Sequence, residues 1–192
     1  ATQGILLLLS ALAVLALLEG LLFRYWILPG WSDKVAERLY AGSYFPQDDE
    51  LAQLAEHYRL VDPENTLMIG AVLHGPVGAW LAKKDFNVTD EEVLNAIRFH
   101  TTGRENMTLF EMAVFVADAI EEGREDYPGL EKIRWLAEKS LPCAVLCPIE
   151  GTIRYIQQAD GRELDTSTLN TERYLRSILT QQEKQWMCAS IP

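Results

Sequence analysis

From Asp48 onward the chain alternates short amphipathic stretches with breaks, at the 3.6-residue spacing of helices. Leu51, Leu54 and Ala55 make the apolar stripe of a helix over Glu50–Tyr58, which Asp48 or Asp49 can cap. Asp62-Pro63-Glu64-Asn65 is a break. Gly75-Pro76 predicts the start of a second helix, running to about Lys84, because proline is accepted in the first helical turn. Thr89-Asp90-Glu91-Glu92 has the spacing of a capping box and opens a helix toward His100. Thr108-Leu109-Phe110-Glu111 repeats that signature and opens the next, through Ile120. Tyr127-Pro128-Gly129 is a turn before a helix that reaches about Lys139. Pro142 opens another, carrying Ile149, Ile153 and Ile156; Asp160-Gly161 turns the chain; a last helix covers Asn170–Gln185. No stretch alternates with the period of a strand, so the pattern predicts an all-α domain.

The first 28 residues break this pattern. Ala1–Leu18 holds no charge, and 11 of the first 28 residues are leucine, which approaches the length of a membrane-spanning helix. Ala11-Leu12-Ala13 would serve as a small-residue cleavage site of a signal peptide, but no Lys or Arg precedes the apolar run. Glu19 interrupts the run, and Arg24 is the first positive charge. A buried core helix, a membrane or signal segment, and a stretch read from another frame all remain open for it.

The 192 residues suffice for one domain with a substantial core, and 48% apolar content argues against disorder. The net charge of −11 excludes broad binding to nucleic acid or to an anionic membrane surface, and leaves room for a local basic pocket. Residues 1–45 are neutral in sum, so the whole excess lies in 46–192. Three cysteines, Cys143, Cys147 and Cys188, do not form a disulfide framework, and the first two read as core residues.

Candidate chemistry gathers in His100-Thr101-Thr102-Gly103-Arg104, where a metal-type ligand stands beside two hydroxyls, a glycine and an arginine. His57 falls on the polar side of its helix and reads as a solvated surface residue. His74 precedes Gly75-Pro76, at the expected entry to a helix, where a loop can aim an imidazole into a cleft. Asp118 sits in an apolar run and needs a charge partner or a metal. Two imidazoles and a carboxylate suit a first-row transition metal, which polarises a phosphoryl oxygen and supplies hydroxide. Thr101, Thr102, the Gly103 backbone and Arg104 would hold phosphate oxygens. The competing reading makes His74 and His100 helix-end residues and pairs Asp118 with a lysine.

These pieces resemble a known family, the bacterial HD-domain proteins of the YqeK type, symmetrical bis(5'-nucleosyl)-tetraphosphatases. The resemblance rests on Leu73-His74-Gly75-Pro76-Val77-Gly78-Ala79 and on Asn95-Ala96-Ile97-Arg98-Phe99-His100-Thr101-Thr102-Gly103-Arg104. It continues through Ala117-Asp118-Ala119-Ile120-Glu121, Gly123-Arg124 and Gly151-Thr152-Ile153-Arg154-Tyr155, and spans about Asp48 to Leu179. It implies an HD-domain helical bundle with an iron-type dinuclear centre that hydrolyses diadenosine tetraphosphate to two ADP. It implies His74, His100 and Asp118 as metal ligands, and Thr102, Gly103, Arg104, Arg124 and Arg154 facing the polyphosphate. The nucleophile would be a metal-activated water, with no side chain assigned to covalent catalysis. A dinucleoside polyphosphate would be the partner and the cytoplasm the place, with a tether through residues 1–28 as the alternative and a homodimer left open.

The family's site also takes a histidine on an early helix and an adjacent His-Asp pair shortly before Gln47–Glu50. Residues 38–46 read Arg-Leu-Tyr-Ala-Gly-Ser-Tyr-Phe-Pro and contain neither residue, and residues 1–46 hold no histidine. The chain therefore divides into an atypical leucine-rich segment, 1–46, in place of the first helices, and an HD-type helical domain, 47–192. A degenerate member that binds nucleotides without turnover is the alternative function.

Overall fold

The computed structural model describes residues 48–61, 70–121, 126–158 and 163–189. The leucine-rich segment and the region expected to carry the His-Asp pair lie outside the described residues. Among the described residues there are eight helices and no strand, the all-α bundle that the periodicity predicts. They are α1 (Asp48–His57), α2 (Gly70–Phe86), α3 (Glu91–Phe99), α4 (Leu109–Ala119), α5 (Leu130–Ala137), α6 (Leu141–Gln158), α7 (Thr166–Ile178) and α8 (Gln181–Cys188). Among the described residues, no helix is long and apolar enough to cross a membrane.

Successive helices pack on one another through α1, α2, α3 and α4, and α6 then packs against α4, α5, α7 and α8. Two layers of core result. Leu51 and Ala55 of α1 meet Leu73 and Val77 of α2. The larger core joins Met112, Phe115 and Val116 of α4 to Cys143–Leu146, Ile149 and Ile153 of α6 and to Leu175 of α7. Between them, Ala96 of α3 sits against Ala113, Val114 and Ala117 of α4, where small side chains let two helices approach closely.

Some local signals hold as they stand and others lie one step off. Thr108 caps α4 in a full capping box with Glu111. At α3 the cap is Asp90 instead of Thr89, because its carboxylate accepts from both Glu92 N (2.9 Å) and Val93 N (3.2 Å). The second helix begins at Gly70 rather than at Gly75, so Pro76 lies inside α2 and deprives the Val72 carbonyl of its usual donor. The expected single helix over Asn170–Gln185 is two helices. Asp165 caps α7, Leu179 leaves the helix in extended geometry, and Thr180 and Glu183 form a second capping box that starts α8. As expected, Cys143 and Cys147 are free thiols within or beside the larger core, and burial raises the pKa of each. His57 is exposed.

Candidate functional site

The His100 loop begins where α3 ends. His100 keeps helical geometry as the C-cap, and the Gly103 N–H closes the turn onto the Phe99 carbonyl at 2.9 Å. This geometry leaves the His100 ring anchored, with Nδ1–H donating to the Ile97 carbonyl at 2.7 Å. Its lone pair is therefore on Nε2. Burial lowers the His100 pKa, the neighbouring His74 lowers it further, and the Ile97 bond and Asp118 oppose the shift. A neutral imidazole with one nitrogen fixed by a backbone carbonyl is the form in which histidine binds a metal.

His74 brings its own Nε2 to 2.9 Å from His100 Nε2, with the ring centroids 4.8 Å apart. Two bare lone pairs cannot face each other at that distance; a proton or a cation must lie between them. Two imidazole nitrogens about 2.0–2.1 Å from one ion and about 90° apart would stand about 2.9 Å from each other. The pair thus fits a transition metal in spacing, and His100 also in tautomer. Thr101 Oγ1 stands 3.0 Å from the same His74 nitrogen, so its hydroxyl belongs to the site.

His74 reaches this position from within α2, not from a loop before it. The approach depends on Gly75, because a β-carbon there would lie 2.6 Å from the Arg98 carbonyl oxygen. A β-carbon on Gly78 would stand 3.6 Å from Ile97 Cγ2, an ordinary contact. Gly75 therefore serves the seam between α2 and α3, across which the two histidines meet.

Asp118, half-buried near the end of α4, acts on His100 electrostatically. It does not complete a ligand set: among the described residues, no group of three His, Cys, Asp or Glu side chains could hold a metal ion.

The residues expected to cradle phosphate are mostly engaged elsewhere. Thr102 is buried, and its hydroxyl donates to the Gly103 carbonyl at 3.1 Å. Its own carbonyl accepts from Thr171 of α7 at 3.0 Å. Gly103 has φ +65° and lies so close to Thr171 that a β-carbon would meet its Cγ2 at 2.6 Å, so this glycine answers to α7 packing. Arg104 places its fork on Glu111, Nε–Oε2 at 3.0 Å and Nη2–Oε1 at 2.7 Å. Glu111 is 1% exposed, so Arg104 neutralises a buried carboxylate. Arg154 is exposed and lies 3.7 Å from Glu150 on its own helix. Arg124 is outside the described residues.

Sequence reasoning missed Glu111, Thr171 and Gly75. Glu111 carried only a capping signal, and nothing within seven residues marks it as the partner of Arg104. Thr171 is 69 residues from the carbonyl it binds.

No protein-family profile matches the chain. It is 45% identical over 85 residues to a protein of Halalkalibacterium halodurans named symmetrical bis(5'-nucleosyl)-tetraphosphatase, covering 44% of this chain and 45% of that one. A Staphylococcus aureus protein of the same name is 37% identical over 120 residues, covering 60% and 61%. The chain thus spans about half to three-fifths of the length of these relatives. The crystal structure of a predicted HD superfamily hydrolase involved in NAD metabolism, from Clostridium acetobutylicum, is similar with a TM-score of 0.59 and 33% identity over 68% of each chain.

Proposed function

This chain belongs to the HD-domain family of the YqeK type, and on that premise we propose that it is a metal-dependent phosphohydrolase that splits dinucleoside tetraphosphates symmetrically, giving ADP from diadenosine tetraphosphate. The observation that carries the reading is the 2.9 Å approach of the His74 and His100 ε-nitrogens, with His100 fixed in the ligating tautomer by Ile97. His74 and His100 would hold a divalent metal, iron by family resemblance, with Asp118 contributing negative charge beside His100. When bound, the metal polarises a phosphoryl oxygen and makes a nucleophile of water near neutral pH. The chain's own groups do the rest. The Ile97 carbonyl holds the His100 ring in place. Thr101 offers a hydroxyl within hydrogen-bond reach of His74, and it could donate to a phosphate oxygen. The protein would act in the cytoplasm, where its nucleotide substrate is found.

The test is incubation of the purified chain, supplied with Fe²⁺ or Mn²⁺, with diadenosine tetraphosphate, and chromatography of the products. ADP as the sole nucleotide product is expected, lost in His100→Gln. ATP with AMP, or no product with the metal bound, refutes the reading.

A second reading follows from the incomplete ligand set among the described residues and from the missing His-Asp pair at 38–46. On that reading the chain binds nucleotides without turnover. ADP would then raise the melting temperature while diadenosine tetraphosphate stayed intact.

A further inference from the structure

Among the described residues, one buried side-chain nitrogen or oxygen lacks a hydrogen-bond partner: Arg98 Nε. Such groups are rare in folded proteins, and each calls for a physical reason. Arg104, Arg134, Arg154 and Arg176 pair with carboxylates, and Arg173 donates to Asn170. In a chain with 28 acidic and 17 basic residues, a buried arginine nitrogen left without an acceptor is unusual. Its place in the last turn of α3 favours any cation, lysine as well as arginine, and does not explain a buried Nε–H.

The register of α3 locates Arg98. Side chains three, four and seven apart share a helix face. Arg98 therefore follows Glu91 and Leu94 and precedes Thr101 on one stripe. Both ends of that stripe touch α2: Glu91 pairs with Lys83 at 3.0 Å, and Thr101 meets His74 at 3.0 Å. Between them the Arg98 carbonyl lies against Gly75. The register thus puts Arg98 on the stripe that borders the α2–α3 seam, one turn before Thr101, and the residue is only half-buried.

We propose that Arg98 anchors a phosphoryl group of the nucleotide bound beside His74 and His100. This deepens the nucleotide-polyphosphate reading of that site and rests on it. The Nε–Nη edge of a guanidinium matches two phosphate oxygens. The ligand's anion would supply the acceptor that Arg98 Nε lacks among the described residues. Arg104, committed to Glu111, is not available for the task.

The test is calorimetric titration of the full chain with ADP and with adenosine, in Mn²⁺, alongside ligand-free melting curves, for wild type, Arg98→Gln and Arg98→Lys. Expected in Arg98→Gln are a tenfold or greater loss of ADP affinity, unchanged adenosine binding, and a melting temperature equal to or above that of wild type. Arg98→Lys should recover part of the ADP affinity. If wild type binds ADP and Arg98→Gln binds it within twofold, the proposal falls while the site reading stands. A lowered melting temperature with no recovery in Arg98→Lys would assign Arg98 to packing and overturn it. Failure of wild type to bind ADP removes both readings.

Discussion

Gly75 and Arg98 touch backbone to backbone, with space for no side-chain atom between them; a β-carbon on Gly75 would stand 2.6 Å from the Arg98 carbonyl oxygen. Gly75→Ala is therefore expected to force α2 and α3 apart. The cost should be about 1–3 kcal/mol, typical of overpacking. The His74–His100 spacing should widen with it. A lower melting temperature together with weaker Mn²⁺ binding would bear this out. A stable variant with normal metal affinity would show that the contact does not set the pair.

Glu111 and Arg104 form a pair with one member shut away from water. Removing the arginine leaves a buried carboxylate uncompensated. Arg104→Ala should destabilise the chain by roughly 3 kcal/mol, within the range for breaking buried ion pairs. Glu111→Ala should also destabilise it, by loss of both the pair and the α4 capping box. The double variant should cost less than the sum of the singles, as denaturant melts in a double-mutant cycle would show.

Thr171 ties α7 to the His100 loop. Its hydroxyl lies 3.0 Å from the Thr102 carbonyl and 2.7 Å from the Ser167 carbonyl. Thr171→Val keeps the shape and removes the donor, for an expected loss of about 1–2 kcal/mol. Thr171→Ser keeps the hydroxyl and should retain slow hydrogen exchange at Gly103, which Thr171→Val should accelerate. Equal exchange in the two variants would argue against a role for this bond.

His100 has its pKa lowered in the fold, chiefly by burial. The unfolded chain then binds a proton more readily than the folded one once pH drops below about 6.5. The stability this histidine contributes is full above that pH and is lost as pH falls toward the depressed folded value. Metal-free wild type should therefore lose stability below about pH 6.5 more steeply than His100→Gln. Parallel pH profiles of the two would contradict the assignment.

Where caps and periodicity lie within a few residues of one another, the fold was legible. Thr108 and Glu111 announce α4, and the turn at Tyr127-Pro128-Gly129 precedes α5 as expected; the breaks expected at Asp62-Pro63-Glu64-Asn65 and Asp160-Gly161 lie outside the described residues. The Thr180–Glu183 box is equally local, yet the longer apolar period across it masks the break between α7 and α8. Pro76 misleads because proline is best accepted in a first turn, whereas packing of Leu73 and Val77 on α1 carries α2 back to Gly70.

The chemical roles were less legible, because a motif groups residues by sequence while a site groups them by surface. His100, Thr101, Thr102, Gly103 and Arg104 are consecutive, yet they face different neighbours. His100 and Thr101 meet His74, Thr102 and Gly103 meet Thr171, and Arg104 meets Glu111.

The sequence by itself determined the helical class, most helix starts, and the residue types able to bind metal and phosphate, since these depend on periodicity, capping and side-chain chemistry over short spans. The tertiary structure alone decided that His74 faces His100 across 26 positions, that Arg104 serves a buried carboxylate, and that Arg98 Nε is left without an acceptor among the described residues. Those outcomes depend on which helix faces dock and how closely, and the close approach at Gly75 is what makes that docking possible.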